Sequence, residues 1–150
     1  MIFEGKIEVA ASPLEVWDFL MDIEKFASCL PGLEQVTRVD ERTFDGVLSA
    51  AGGPISGKFA FRSTMVESAP PTEMVVQTEG TDSVTKSAVS VTMKVALTEK
   101  IASRTELGYH AEVGIKGRLA ILGDMVLRAT TVLILEEFAL RLRAQLEDKF

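Results

Sequence analysis

The sequence predicts one α+β domain, residues 1–150, in which a curved antiparallel sheet of about seven strands wraps a long C-terminal helix, with two short helices after the first strand. Three observations carry that expectation. Between Leu33 and Gly117, apolar and polar side chains alternate in runs separated by turn residues. After Gly117, apolar residues recur every fourth position to about Glu147. One long helix must then cover the apolar face of the whole sheet.

The elements follow in order. Phe3, Gly5, Ile7 and Val9 alternate with Glu4, Lys6 and Glu8, the period of a half-buried strand. Ser12 suits a helix N-cap, Pro13 the first helical position, and Glu15 completes a capping box. Leu14, Trp17, Phe19, Leu20 and Met21 supply that helix with apolar residues. A second short helix, Ile23 to Leu30, ends at Pro31-Gly32. Turns are predicted at Asp40-Glu41-Arg42, Gly52-Gly53-Pro54, Pro70-Pro71-Thr72, Gly80-Thr81-Asp82 and Glu99 to Ser103. Between them, Gly57, Phe59, Phe61, Ser63 and Met65 share a face. So do Val89, Val91, Met93, Val95 and Leu97, and so do Leu107, Tyr109, Ala111, Val113 and Ile115. One wet face and one apolar face mark an antiparallel sheet covered on a single side.

Gly117 ends the last strand, and a continuous helix is predicted from there to about Glu147. Leu122, Val126, Thr130, Ile134, Phe138, Leu142 and Leu146 form a stripe in steps of four, which suits a rod lying diagonally across a twisted sheet. A helix is only ~10–12 Å wide. It cannot cover seven strands laid flat, so the sheet must curl, and a curled sheet tends to leave an apolar void.

Composition narrows the functional classes. At 150 residues the chain can build a core without disulfides or metals. Its net charge of −6, with no Lys/Arg-rich run, argues against nucleic-acid binding. Cys29 is the one cysteine, so no internal disulfide can form, and a reducing cytoplasm is the simplest compartment. Met1 to Lys6 begins a strand pattern and reads as no signal peptide. Leu119 to Leu135 is the most apolar run, but Asp124 and Arg128 interrupt it, short of a membrane span. The expectation is a soluble cytoplasmic protein able to visit the inner face of a membrane.

Candidate catalytic groups are few. His110, the one histidine, falls on a polar strand face and reads as a surface residue. One histidine and one cysteine cannot supply the usual zinc ligands. Cys29 lacks an evident basic partner and reads as a packed thiol. Gly52-Gly53-Pro54 reads as a hairpin turn, not a phosphate loop. Asp124 and Arg128, four apart, read as a surface ion pair. No catalytic residue and no metal site is predicted. The informative set is the inward one: Phe59, Phe61, Met65, Val91, Met93, Tyr109, Val113, Val126, Thr130 and Ile134. These residues converge either as a filled core or as the lining of a pocket. The soft Met residues, and Thr130 and Tyr109 among apolar walls, favour a pocket. Each methylene of a polyisoprenoid tail buried there contributes ~0.8 kcal/mol.

Several motifs carry a family resemblance. They are Ser12-Pro13 with Val16-Trp17, Cys29-Leu30-Pro31-Gly32, Gly53-Pro54-Ile55 leading into Phe59, Glu79-Gly80, Thr105/Leu107/Tyr109, and Gly117-Arg118-Leu119-Ala120-Ile121-Leu122-Gly123 with Phe138. In that order they span nearly the whole chain. The sequence resembles the carbon monoxide dehydrogenase CoxG (CoxG-like) family of the START/polyketide-cyclase-like (SRPBCC) superfamily. The resemblance implies a helix-grip fold and a non-catalytic role beside molybdenum-containing carbon monoxide dehydrogenases. It implies that menaquinone or a similar quinone is carried in an apolar cavity between enzyme and respiratory membrane. On that reading Leu30, in its turn, and Leu119 and Leu122 shape the pocket mouth. Some members carry a linker and an apolar C-terminal anchor; this sequence ends at Phe150 after the helix, which leaves anchoring open. Met125, Val132, Leu133 and Leu135 lie outside the stripe and offer a surface for a partner, a second copy or a membrane, or are scattered exposed residues. The alternatives to a carrier are a scaffold that recruits or matures the dehydrogenase without a ligand and, less favoured, an enzyme.

Overall fold

In the computed structural model, which describes residues 1–50, 57–82 and 85–147, each alternating run becomes a strand. The elements are β1 (Ile2–Val9), α1 (Pro13–Met21), α2 (Ile23–Cys29), β2 (Leu33–Arg38), β3 (Thr43–Ala50), β4 (Gly57–Ala69), β5 (Glu73–Asp82), β6 (Ser87–Ile101) and β7 (Arg104–Lys116). A 3₁₀ segment, Arg118–Leu122, and α3, Asp124–Glu147, follow. The strands form one antiparallel sheet in the order β1-β7-β6-β5-β4-β3-β2. β1 and β2 are thus opposite edges, and α1 and α2 carry the chain from one to the other. Ser12 and Glu15 form the expected capping box, each side chain accepting the other's backbone N–H at 3.2 Å. Asp22 caps α2 in the same way, accepting from Glu24 and Lys25 N–H. Among the described residues no helix is long and apolar enough to cross a membrane.

The register places facing residues in rows across the inner side. Phe44, Ser63, Thr78, Val91 and Val113 form one row, and Met65, Val76, Met93, Ala111 and Phe3 another. Burial along these rows is uneven. The sealed core lies at one end, where Ile7, Val9, Val16, Trp17, Cys29, Met74, Leu97, Leu107, Leu142 and Leu146 pack together. It joins β1, β5, β6 and β7 to α1, α2 and the second half of α3. At the other end, Phe59, Phe61, Val89, Val91, Val113 and Ile115 remain half-buried.

Four expectations need correction. The helix after Gly117 is not continuous. Gly117 (φ 89°) and Gly123 (φ 84°) adopt left-handed backbone that interrupts helical hydrogen bonding and sets the 3₁₀ segment apart. Leu122 therefore does not belong to α3. Second, Gly80-Thr81-Asp82 is not a turn: β5 runs through it, paired with β6 as far as Asp82↔Ser87. Third, Asp124 and Arg128 form no ion pair. Arg128 instead donates to the Ile2 carbonyl (3.0 Å) and lies 4.8 Å from the centre of the Phe3 ring. Fourth, the four-step stripe does not define one face. At roughly 100° per residue each step of four gains about 40°, so five steps from Val126 to Leu146 turn about 200°. The residue buried near the start of α3 is Leu127, with Leu142 and Leu146 buried near its end.

Candidate ligand-binding site

The half-open end is built from three sides. Its floor is the inner face of β4, β6 and β7, where Phe59, Phe61, Val91, Met93 and Val113 stand in alternation. Phe61 lies flat because Gly46, on the neighbouring strand, has no Cβ; one built there would meet the ring edge at 2.6 Å. Its second side is a chain of edge-on aromatic contacts from sheet to helix: Phe61–Phe44 at 5.9 Å, Phe44–Phe26 at 6.0 Å and Phe26–Phe138 at 5.8 Å between ring centres. Such contacts stabilise beyond simple area burial and hold α2 between β3 and α3.

The third side is α3. Arg128 ties its first turns to edge strand β1 through Ile2 and Phe3. Val126 and Thr130 each stand two residues from Arg128, about 200° around the helix, so they occupy the flank away from β1. Ile134 continues toward Phe138 and α2. Among the described residues, no Cα of α3 comes within 8 Å of a Cα of β2–β7. The space between is spanned by side chains alone, and most of those toward the 3₁₀ segment are half-buried.

The predicted lining residues divide accordingly. Phe59, Phe61, Val91, Met93, Val113, Val126, Thr130 and Ile134 bound the half-open end. Met65 and Tyr109 instead pack against the sealed core. The Tyr109 ring lies across Gly5, where any Cβ would strike its hydroxyl end. Thr130 does not present a free donor, because its hydroxyl donates to the Val126 carbonyl at 3.0 Å. Leu30 is the C-cap of α2, and the following turn is held to β3 by the Ser49 N–H donating to the Gly32 carbonyl (2.8 Å). Leu119 and Leu122 are half-buried in the 3₁₀ segment, whose Leu119 N–H donates to Ser87 Oγ at 3.0 Å. Gly52-Gly53-Pro54 and Ile55 lie outside the described residues.

The inner face also carries polar groups outside the set that the sequence pattern selects. Ser63 and Thr78 share a hydrogen bond of 2.7 Å in the same row as Val91. Asp82 and Ser87, paired across β5 and β6, are both buried at the mouth. Asp82 accepts from the Thr85 N–H, and the Thr85 hydroxyl donates to Ser87 Oγ at 2.9 Å. Period-two alternation from Phe61 puts Ser63 inward and is a signal sufficient to find it. The turn-like composition around Asp82 masks its place in the sheet.

The remaining reactive candidates stand apart. His110 lies on the outer face between Glu4 (2.6 Å) and Glu112 (3.7 Å). Cys29 is buried, and burial pushes its thiol up, outweighing the hydrogen bond from Ser28 and the charge of Arg141. Among the described residues no group of three His, Cys, Asp or Glu side chains could hold a metal ion. Two shallow depressions lie mainly on the outer side: one beside Met1, Ser90 and Glu112, the other over Gln35, Asp45 and Arg62. Both mix charged and polar groups, unlike the inner hollow.

Residues 5–147 match the CoxG family of carbon monoxide dehydrogenase. Three solved structures share the architecture. A conserved protein from Geobacillus kaustophilus superposes with a TM-score of 0.92 at 20% identity, over 98% of this chain and 95% of that one. A START superfamily protein from Mycobacterium smegmatis gives 0.76 at 14% identity, over 99% of both chains. The di-domain ARO/CYC StfQ of the steffimycin biosynthetic pathway gives 0.72 at 19% identity, over 99% of this chain and 51% of that one. At these identities the likeness establishes the START-like fold and nothing further. No curated protein matches the sequence.

Proposed function

Because the chain belongs to the carbon monoxide dehydrogenase CoxG family, we propose that it is a non-catalytic accessory protein that binds a hydrophobic molecule between its sheet and α3. Its cargo on this reading is menaquinone or another quinone, carried between a molybdenum-containing carbon monoxide dehydrogenase-type enzyme and the respiratory membrane. The observation that carries the reading is the uneven burial of one continuous inner face. A protein needing only a core would seal both ends, yet Phe59, Phe61, Val91, Val113, Val126 and Ile134 remain half-buried. An apolar ligand entering there removes their remaining surface from water, at ~25 cal/mol per Å².

The residues present fit such a cargo. The aliphatic and aromatic floor suits an isoprenoid tail, and Ser63, Thr78 and Ser87 offer hydroxyls where a polar ring could lie. Nothing in the hollow suggests a nucleophile with a base, so binding rather than conversion is the role its chemistry supports.

The test is mass spectrometry of organic extracts of the purified protein, followed by titration with menaquinone in detergent. A stoichiometric quinone, lost on Phe61→Asp or Val126→Asp in a protein that still melts cooperatively, is the expected result. A protein that rejects quinones yet binds its dehydrogenase would replace this reading with that of a scaffold.

A further inference from the structure

The end of the molecule that bears the hollow's mouth also bears its most protruding apolar side chains. Ile121, in the 3₁₀ segment, is 82% exposed, and Met125, in the first turn of α3, is 86% exposed. The segment is not a loose loop. Leu119 N–H is bound to Ser87 Oγ, and Gly117 lies so close to the Lys86 carbonyl that no Cβ would fit. These contacts hold Ile121 out beside the start of β6.

The charges around this tip run against those of the whole chain. Lys86, Lys116 and Arg118 are exposed there, and among the described residues no ion pair neutralises them. Asp124 is the one acid in the adjoining stretch 116–125, although the chain carries a net −6. An acidic protein with an apolar point ringed by unpaired cations is complementary to an anionic bilayer. The cations meet headgroups, and the apolar side chains reach the acyl boundary. The other exposed apolar residues of α3, Leu133 and Leu140, lie beside Glu136, Glu137 and Arg143 and lack this cationic frame.

We propose that the 3₁₀ segment and the first turn of α3 form a membrane-docking tip for anionic lipid, with Ile121 and Met125 inserting and Lys86, Lys116 and Arg118 holding the headgroups. Docked this way, the mouth at Leu119, Leu122 and Ser87 faces the bilayer, and an apolar cargo passes without crossing water. The inference deepens the carrier reading and rests on it only for the cargo; the surface itself is argued from exposure and charge.

The test uses the full chain and vesicles of phosphatidylglycerol with phosphatidylcholine, or of phosphatidylcholine alone, all without quinone. Binding to the anionic vesicles that weakens with salt is expected. At about 1 kcal/mol for each cation near the surface, Lys116→Gln with Arg118→Gln lowers binding roughly thirtyfold. Ile121→Ser with Met125→Ser lowers it more than tenfold, while Leu133→Ser leaves it unchanged. Circular dichroism melts confirm that the variants fold. Wild-type protein that shows no preference for anionic vesicles, or variants that bind as wild type does, overturn the proposal. So does loss of dehydrogenase binding in the same variants with vesicle binding intact, which makes the tip a protein surface. Quinone titration in detergent, which needs no docking, tests the carrier reading separately.

Discussion

Truncating α3 at its two ends should have very different consequences. Leu142 is fully buried among Val9, Val16, Trp17 and Cys29, and Leu142→Ala there loses both transfer energy and packing. The usual cost is about 2.7–5.0 kcal/mol, rising with the volume left empty. For a chain of this length each kcal/mol moves the midpoint about 2–4 °C, so a fall of roughly 10 °C is expected. Ile134, two turns earlier, is only half-buried and borders the hollow. Ile134→Ala removes surface that water already reaches, and the expected cost is about 1 kcal/mol. The assay is thermal and urea unfolding of both variants without added ligand, followed by the same melts with menaquinone. Ligand should raise the wild-type midpoint by mass action and raise it less in Ile134→Ala, while Leu142→Ala retains the full increment. Equal losses at the two positions would refute the reasoning, because they would mean that the half-open end is an ordinary packed core.

Further outcomes follow from individual contacts. Ser12→Ala removes the α1 cap and should cost about 1 kcal/mol, measured by urea unfolding. Ser63→Ala or Thr78→Val alone leaves the partner hydroxyl without its mate and should destabilise by about 1–3 kcal/mol. The double replacement should cost less than the sum, as a double-mutant cycle would read directly. Asp45 is held below the ordinary carboxylate range by its two hydrogen bonds from Arg62 and by that charge. Its stabilisation is therefore present above the unfolded carboxylate pKa and lost as pH falls through the lower folded value. In Arg62→Gln the Asp45 carboxyl should titrate at higher pH by carbon-13 NMR. Cys29 should react with thiol reagents only as fast as the sealed end opens, so the labelling rate should follow global stability across the Leu142→Ala and Ser12→Ala variants.

Local pattern reveals the architecture because each decisive signal spans a few residues. The capping box at Ser12 and Glu15 and the alternation through Phe59–Met65 need no knowledge of distant partners. Where pattern and structure part, the opposite holds. The i,i+4 rule pairs Arg128 with Asp124 because it sees one helix, whereas the partners of Arg128, Ile2 and Phe3, lie more than a hundred residues away. The break at Gly123 is invisible because Leu122 and Val126 keep the four-residue rhythm across it. Gly80-Thr81-Asp82 has turn composition, although pairing with Ser87 keeps Asp82 in the sheet. Which inward residues are sealed is not legible either. Met65 and Phe61 look alike in alternation, and only the position of α3 against β1 decides that Met65 joins the core.

The placement of β1 has a consequence for how the chain acquires its structure. Strands β2 to β7 are joined in a meander, so each can pair with its predecessor as it emerges. β1 must wait for β7, which it meets at a separation such as the 112 residues between Met1 and Val113. The sealed end waits longer, since Val9, Val16 and Trp17 are completed by Leu142 and Leu146. Contacts of that range slow folding through the entropy of closing a long loop. The first segment made is therefore among the last to be buried, and its apolar residues stay exposed until α3 arrives.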